Sequence, residues 1–339
     1  MTFDVHVHVV VPEITRAAGE ADEDWRPGVY RDDAGAQVVE MGGREIRAAI
    51  AEFVDIEGIL VAQDEAGVDR VLLCPWVPLL YYDADPDEGL RRARIQNDAL
   101  TGLVRDRPGR VAALGALPLQ DPELAARELH DLMAAGELKG VEVAASVRGV
   151  FLGDDRFEPF WDAAEATGAL VFMHPTTRGF DSPVFQDYYL WNTVANPFET
   201  ATAAAHMVAA GVMERHPGLR VLLAHGGGAL LAVRGRMRHA HGFQPQAKAR
   251  LRESPDESIR RFYFDTLTHD EALLRALIDY AEPDRVLLGS DYPFDMGDAR
   301  HVDTVRALGL PADAEAAILA DNAERLLGLE PARREENLT

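Results

Sequence analysis

The chain has 339 residues, of which 47% are hydrophobic, and a formal net charge of −23. This length and apolar content allow one large core, as a single barrel with insertions or as two domains. The acidic balance without a basic cluster argues against a nucleic-acid-binding protein, and no apolar run is long enough to cross a membrane.

The only cysteine, Cys74, lies in an apolar run over residues 71–76. A single cysteine in such a run is typical of a small buried core residue. One cysteine cannot form an intrachain disulfide, which fits a reducing compartment. The first residues also lack the charged and apolar regions of a signal peptide, so we expect a cytoplasmic protein.

Short apolar runs alternate with longer helical patterns along the chain. The apolar runs predict eight strands, over residues 3–11, 70–75, 110–116, 140–144, 169–173, 220–224, 262–265 and 285–289. The helical patterns cover residues 52–66, 87–105, 122–135, 157–167, 197–215, 269–280 and 311–327. This alternation is typical of parallel βαβ units, and eight such units favour an α/β fold of the (β/α)8 TIM-barrel type over an open doubly wound sheet.

Two stretches interrupt this alternation. Residues 12–48 follow the first strand and are rich in glycine, proline and acids, and residues 175–196 follow the fifth strand. Long excursions in a compact domain are often functional loops. Residues 330–339 have the composition of a polar, poorly ordered tail. We therefore predict one barrel domain over residues 1–329, with residues 12–48 as a loop insertion, followed by this tail.

Histidine and aspartate side chains recur at the carboxyl ends of four predicted strands. In the first strand, His6 and His8 are two residues apart and therefore project to the same side. The others are His174, Asp291 and His225, which precedes three glycines. A single strand-end histidine is more often a hydrogen-bonded loop residue. In a barrel, however, the carboxyl ends of the strands meet at one mouth, so the set predicts one cluster.

Imidazole nitrogens combined with a carboxylate predict a metal site. Zn²⁺ fits this ligand set first, with Mn²⁺, Fe²⁺ or Co²⁺ as alternatives. A second metal ion would need a bridging ligand, and Lys139 precedes the fourth strand, at the wrong end of the barrel. We therefore expect a single divalent ion.

The remaining histidines carry weaker signals. His269 opens a predicted helix near the mouth and could line the pocket. By contrast, His130, His216 and His301 are interpreted as residues of the surface or of helix ends.

Four motifs occur in a fixed order along the chain. They cover residues 4–8 (DVHVH), 172–175 (FMHP), 223–228 (LAHGGG) and 288–294 (LGSDYPF). This ordered set resembles the amidohydrolase superfamily, in the branch that contains aminocarboxymuconate-semialdehyde decarboxylase and the γ-resorcylate-type decarboxylases. Residues 195–200 and 320–327 are also similar to that family, so the resemblance spans nearly the whole chain.

The resemblance implies a chemistry and a role for each clustered residue. It implies a mononuclear Zn²⁺ bound by His6, His8, His174 and Asp291, with His225 as the nearby acid/base group. It also implies non-oxidative release of CO₂ from a small substrate, often by a homodimer.

The resemblance further suggests where a substrate would bind. In related enzymes an arginine from the loop after the first strand holds the substrate carboxylate, and Arg47 is the best positional match, followed by Arg44. Trp191 falls close to a pocket tryptophan of the family. Arg178 has no counterpart and is either a second anion contact or a surface arginine. The aromatic run at 188–191 suggests a small, planar, anionic substrate that is unsaturated or aromatic.

Decarboxylation needs an electron sink, a proton donor and an oriented carboxylate. A divalent ion can supply the first, and we expect His225 and Asp291 to divide the proton transfer while Arg47 orients the substrate. The alternative is a hydrolase or hydratase that uses metal-activated water on a small lactone, amide or unsaturated acid. A barrel that has lost catalysis is a third possibility, against which the complete ligand set argues.

Overall fold

The computed structural model describes the secondary structure of residues 1–17, 28–31, 37–41, 44–47 and 50–329. Side chains are described for residues 1–14 and 52–329, apart from position 179. The predicted tail, 330–339, lies outside the described residues, as do the side chains of Arg44 and Arg47. No helix of the described residues is long and apolar enough to span a membrane.

The strands fall into parallel and antiparallel groups. In chain order they are β1 (Phe3–Val9), β2 (Gly28–Arg31), β3 (Gln37–Met41), β4 (Arg44–Arg47), β5 (Arg70–Pro75), β6 (Val111–Ala113), β7 (Gly140–Ala144), β8 (Ser146–Val147), β9 (Val150–Phe151), β10 (Leu170–His174), β11 (Arg220–Leu223), β12 (Tyr263–Asp265) and β13 (Val286–Leu287). The parallel sheets have the orders β1-β5-β6 and β13-β12-β11-β10-β7. These eight strands are the eight predicted from the sequence, with ends shifted by a few residues.

The two parallel sheets join at both of their edges. Parallel bridges pair Val7 with Tyr292 and Gly115 with Val141. At the first of these edges the N–H of His8 also donates to the carbonyl of Tyr292 at 2.8 Å. The predicted (β/α)8 barrel is therefore confirmed, and the open doubly wound alternative is not.

The helices surround this barrel. In chain order they are α1 (Pro12–Ala17), α2 (Ile50–Val54), α3 (Ile56–Glu65), α4 (Pro86–Asp106), α5 (Pro122–Ala135), α6 (Glu158–Thr167), α7 (Asn196–Ala209), α8 (Val212–Arg215), α9 (Leu230–Phe243), α10 (Pro255–Ile259), α11 (Glu271–Ala281), α12 (His301–Ala307), α13 (Ala312–Ala316) and α14 (Asn322–Leu327). The predicted helix 197–215 is two helices, α7 and α8. They separate at Gly211, which has a left-handed φ of 73°.

Local sequence signals explain the ends of several helices. The Asp121 side chain accepts a hydrogen bond from the N–H of Leu124 at 3.0 Å, and Pro122 occupies the first turn of α5. The same helix ends at Gly136, in the left-handed conformation expected of a C-terminal cap. These boundaries were predicted from the sequence, because capping depends only on neighbouring residues.

The excursion after β1 contains regular structure that the sequence analysis did not predict. Its strands β2, β3 and β4 form an antiparallel sheet, in which Val29 pairs with Val39 and Val39 with Ile46. Each strand has only four or five residues, so its alternation is too short to stand out from the glycine-rich and acidic surroundings. Residues 12–48 are thus not simply a loop.

An irregularity in β1 decides which side chains face the barrel interior. The strand pairs Asp4 with Val71 but Val7 with Leu73, so β1 carries one extra residue between these points. Val5 packs in the inner core cluster, whereas Val7 packs in the outer cluster against the helices. A bulge of this kind re-aims the side chains that follow it. Strict alternation would place Asp4, His6 and His8 on the same side of the strand. The extra residue instead lets His6 and His8 project into the barrel interior, whereas Asp4 does not.

Candidate metal centre

Five polar side chains meet at the carboxyl ends of four barrel strands. His6 and His8 belong to β1, His174 ends β10, His225 lies two residues beyond β11 and Asp291 follows β13. Four of them are buried, and the side chain of His225 is the most accessible, at 15% exposure. The structure therefore brings together all the residues that the sequence analysis placed at the barrel mouth.

The interatomic distances define a compact cluster around one carboxylate oxygen. The Nε2 atoms of His6 and His8 lie 3.0 Å apart, and each lies 3.1 Å from Asp291 Oδ1. His174 Nε2 is 3.9 Å from the same oxygen. His225 Nε2 lies instead 3.3 Å from the second oxygen, Asp291 Oδ2. Asp291 is thus shared by all four imidazoles.

Four buried atoms of this cluster, two of them His8 Nδ1 and His225 Nδ1, lack a hydrogen-bond partner among the described residues. Among the described residues, neither His174 Nε2 nor Asp291 Oδ1 has a hydrogen-bond partner, and both are shielded from solvent. Buried polar atoms are normally paired, since desolvation without a partner costs free energy. The ligand atoms of His6, His174, His225 and Asp291 all lie within 4.8 Å of one another. This set of nitrogen and oxygen donors fits one divalent metal ion.

Groups behind the histidines orient their rings. His6 Nδ1 donates to Asp265 Oδ2 at 2.7 Å, and His174 Nδ1 donates to the Pro175 carbonyl at 3.0 Å. Asp265 also accepts from the N–H of His225 at 2.9 Å. Such contacts hold Nε2 towards the cluster. Asp265 was not predicted as a site residue. Its position at the end of the seventh predicted strand could have indicated one, since the candidate ligands also lie at strand ends.

The loops that carry His225 and Asp291 are conformationally unusual. Both residues have left-handed φ values, 58° and 61°, which are uncommon for residues other than glycine and are often found at functional sites. The glycine run after His225 is needed for close packing. A Cβ on Gly228 would lie 2.1 Å from the carbonyl oxygen of Pro197 at the start of α7. This contact explains why the histidine is followed by residues without side chains.

A cavity of about 310 Å³ opens beside the cluster. It is lined by His174, His225 and Asp291 and by aromatic rings from Trp76, Tyr189, Trp191 and Phe294. The ring of Phe294 also packs edge-on against His8, with centroids 5.0 Å apart. The cavity therefore offers flat apolar walls directly next to the polar cluster.

A family model described as amidohydrolase matches residues 3–329. The chain belongs to the amidohydrolase family. The resemblance inferred from the four sequence motifs is thereby confirmed.

Three known proteins show which branch of the family this amidohydrolase is similar to. It is 32% identical over 260 residues to 2-amino-3-carboxymuconate-6-semialdehyde decarboxylase of Dictyostelium discoideum, covering 75% of this chain and 72% of that protein. It is 28% identical over 305 residues to γ-resorcylate decarboxylase of Rhodococcus jostii, covering 85% and 87%. The crystal structure of 5-carboxyvanillate decarboxylase from Sphingomonas paucimobilis superposes with a TM-score of 0.81 at 27% identity, covering 97% of this chain and 99% of that one.

The charges in the cluster of this amidohydrolase shift the pKa values of its members. Burial alone would lower the pKa of His6, but Asp291 and the contact with Asp265 raise it to about 10. Burial lowers the pKa of His8, and it lowers that of His174 to about 3. Burial alone would raise the pKa of Asp291, but His6 and the other imidazoles hold it well below its usual range. The carboxylate of Asp291 thus favours a proton on His6 in the metal-free cluster, and this proton must leave if His6 is to bind a metal ion.

The arginines predicted to contact substrate are not among the described side chains of the cavity. Arg178 lines a neighbouring cavity of about 150 Å³ and forms a partly exposed ion pair with Asp83 at 2.8 Å. Arg178 therefore does not line the cavity beside the cluster, and its role as a second anion contact stays a prediction. Arg47 ends β4, but its side chain lies outside the described residues. Trp191, in contrast, lines the cavity beside the cluster, as does His269.

Two histidines assigned to the surface or to helix ends are buried. His216 is 5% exposed and lies 3.0 Å from Glu158 Oε1. His301 begins α12 but is 2% exposed, and its Nε2 lies 3.3 Å from Asp4 Oδ2. The burial of these two histidines could not be predicted from the sequence, because each of them contacts a carboxylate that is distant along the chain.

The pair of His301 and Asp4 predicts a pH dependence of stability. Burial alone would lower the pKa of His301, but Asp4 raises it above the usual value of about 6.5. A raised pKa in the folded protein contributes stability below about pH 6.5, and this contribution disappears as the pH rises through the folded pKa. We expect urea unfolding to show this loss of stability in the wild type as the pH is raised above about 6.5. The His301→Gln variant should lack this component, and an unchanged pH profile in the variant would contradict the assignment.

Proposed function

We propose that this amidohydrolase is a metal-dependent, non-oxidative decarboxylase of a small, planar aromatic or unsaturated carboxylate. The observation that carries this proposal is a cluster of four histidines and Asp291 that reaches the wall of an aromatic-lined cavity through His174, His225 and Asp291. Three proteins that this chain is similar to are decarboxylases of unsaturated or aromatic acids. A planar ring would stack against the aromatic wall while its carboxylate side lies near the cluster.

We assign His6, His8, His174 and Asp291 as the metal ligands. The Nε2 atoms of these three histidines all face one oxygen, Asp291 Oδ1. The donor set suits Zn²⁺, with Mn²⁺ as the alternative. Removal of the ion is expected to abolish activity.

We assign His225 as the acid/base group rather than as a ligand. It is the most accessible imidazole of the cluster, and its Nε2 contacts Oδ2 of Asp291 instead of the oxygen that the other three share. It also lines the cavity, so a substrate can reach it. Histidine is the side chain that most often serves as a general acid or base in enzymes.

The proposed reaction breaks the bond between the substrate carbon and its carboxylate. When bound, the divalent ion would act as a Lewis acid that stabilises the developing negative charge. CO₂ leaves, the electron pair of the broken bond stays on the carbon, and His225 delivers a proton to that carbon. Asp291 Oδ2, 3.3 Å from His225 Nε2, orients this imidazole and shares the proton transfer. Arg47 is proposed to hold the substrate carboxylate.

A hydrolase or hydratase is the second candidate, and one observation favours it. No arginine lines the cavity among the described side chains, so the described wall offers no guanidinium to hold a carboxylate. The same cluster could activate water, with His225 as its base. The aromatic wall and the decarboxylase relatives favour carboxylate chemistry.

Product analysis in ¹⁸O-labelled water separates the two candidates. We expect the Zn²⁺-loaded or Mn²⁺-loaded protein to release one CO₂ for each γ-resorcylate or 5-carboxyvanillate consumed, without ¹⁸O in the aromatic product. Treatment with a chelator should abolish this reaction, and restoring the metal should recover it. A metal-loaded protein that releases no CO₂ from either acid, but incorporates ¹⁸O into the product of a small lactone, amide or unsaturated acid, would reject decarboxylation in favour of hydrolysis or hydration.

We further propose a cytoplasmic homodimer without a nucleic-acid partner. The resemblance to the decarboxylase branch of the family implies the dimer, and the buried free thiol of Cys74 suits a reducing compartment. The net charge of −23 disfavours binding to nucleic acid. A native mass equal to that of the 37.2 kDa chain would reject the dimer.

A further inference from the structure

Glu142 is a buried carboxyl group that the proposed reaction does not use. It lies within β7, its exposure is 0%, and neither of its carboxyl oxygens has a hydrogen-bond partner among the described residues. Burial without a partner is costly for any carboxyl group, charged or neutral. A glutamate at such a position therefore calls for a role other than stability.

One polar group that faces Glu142 belongs to the metal cluster. Oε1 of Glu142 lies 3.9 Å from His8 Nδ1, and this nitrogen is also buried without a hydrogen-bond partner. The other ring nitrogen of His8, Nε2, is on the cluster side, 3.1 Å from Asp291 Oδ1. Glu142 therefore stands behind His8, away from the oxygen that the ligands share.

In His6 and His174, the Nδ1 atom, which corresponds to His8 Nδ1, has a hydrogen-bond acceptor. Behind His6, Nδ1 donates to a carboxylate oxygen of Asp265 at 2.7 Å. Behind His174, Nδ1 donates to the carbonyl of Pro175 at 3.0 Å. Of these three imidazoles, only His8 lacks a bonded Nδ1 in this structure, and the group that faces this nitrogen is an unpaired carboxyl.

We propose that Glu142 is a positioning residue, whose carboxyl oxygen accepts the Nδ1 proton of His8 and so holds Nε2 towards the metal ion. The proposal rests on the assignment of His8 as a ligand in the proposed function. The hydrogen bond would select the tautomer with a free Nε2 lone pair and restrict rotation of the ring. Each histidine ligand would then be oriented by one group behind it: His6 by Asp265, His8 by Glu142 and His174 by the Pro175 carbonyl.

Two variants of similar side-chain size test this role. Glu142→Gln keeps a carbonyl oxygen that can accept the proton, whereas Glu142→Met removes both oxygens, leaves only a weakly accepting sulfur and fills a similar space. Binding of Zn²⁺ is measured by competition with a chromophoric chelator. We expect the methionine variant to bind Zn²⁺ roughly 10- to 100-fold more weakly and the glutamine variant to stay within about threefold of wild type.

Glu128 provides a control for the effect of neutralising a buried carboxylate that lies away from the metal cluster. Glu128 is 8% exposed on α5 and pairs with Arg94 at 2.7 Å, outside the cavity. Glu128→Gln should leave Zn²⁺ affinity unchanged. Metal-free Glu142→Met should unfold at no lower temperature than metal-free wild type, because Glu142 has no partner to lose.

The possible results separate this role from the proposed function. Wild-type Zn²⁺ affinity in Glu142→Met, or equal losses in both Glu142 variants, would overturn the positioning role. A clearly lower unfolding temperature of metal-free Glu142→Met would replace it with a structural role. If the wild type itself binds no Zn²⁺ or Mn²⁺, the proposed function fails, and the role of Glu142 fails with it.

Discussion

Replacing His225 with asparagine is expected to lower kcat by about 10²- to 10⁴-fold while one metal ion per chain stays bound. Loss of a general acid in this position typically costs that factor. Asparagine is similar in size and polar, but it cannot exchange a proton near neutral pH. The side chain contacts Asp291 Oδ2 rather than Oδ1, so its removal leaves the oxygen shared by the other three histidines in place.

The measurement needs steady-state kinetics together with metal analysis of the same preparation. His130→Asn is a matched control, since His130 lies exposed on α5, and its kinetic constants should equal those of wild type. An His225→Asn variant with full activity would remove His225 from the reaction. If the variant instead lost its metal together with its activity, His225 would have to be reassigned as a ligand.

Replacing Asp291 with asparagine should abolish both metal binding and decarboxylation. Its Oδ1 lies 3.1 Å from two imidazole nitrogens, and it is the only carboxylate among the four assigned ligands. Lewis-acid stabilisation is worth several kcal/mol, and each 1.36 kcal/mol changes the rate tenfold. We therefore expect a loss of at least about 10³-fold in kcat/KM, with less than stoichiometric metal after dialysis.

The control for this change is an aspartate in the same region of sequence but away from the site. Asp284 lies in the turn before β13, and its side chain is 62% exposed. Asp284→Asn should retain both metal and activity. Stoichiometric metal in Asp291→Asn would show that the three histidines suffice to hold the ion, and it would limit Asp291 to the proton transfer.

The barrel could be predicted because its signals are local or periodic. The β-branched run at β1, the apolar strands that follow it and the capped helix α5 each depend on neighbouring residues. The histidine and aspartate positions followed from the barrel topology, which gathers strand ends that are far apart in the chain. The small sheet of β2, β3 and β4 was missed because strands of four or five residues carry too little alternation.

Contacts between segments that are distant along the chain could not be predicted from the sequence. Nothing near Arg178 in the chain indicates that it pairs with Asp83, and nothing near His301 indicates its burial against Asp4. The position of Glu142 behind His8 likewise depends on how β7 and β1 face each other across the barrel. Such pairs are set by packing between elements, for which a single sequence contains no distance information.

The two histidines of β1 illustrate the difference between what the sequence determines and what only the tertiary structure decides. By itself, the sequence determined that His6 and His8 share a strand and that other candidate ligands lie at later strand ends. Strict alternation from Asp4 would have put all three side chains on one side. The extra residue between Asp4 and Val7 instead turns the histidines inward and leaves Asp4 outside, against His301. Only the tertiary structure decided this, because a bulge arises from pairing with β5 and closure against β13.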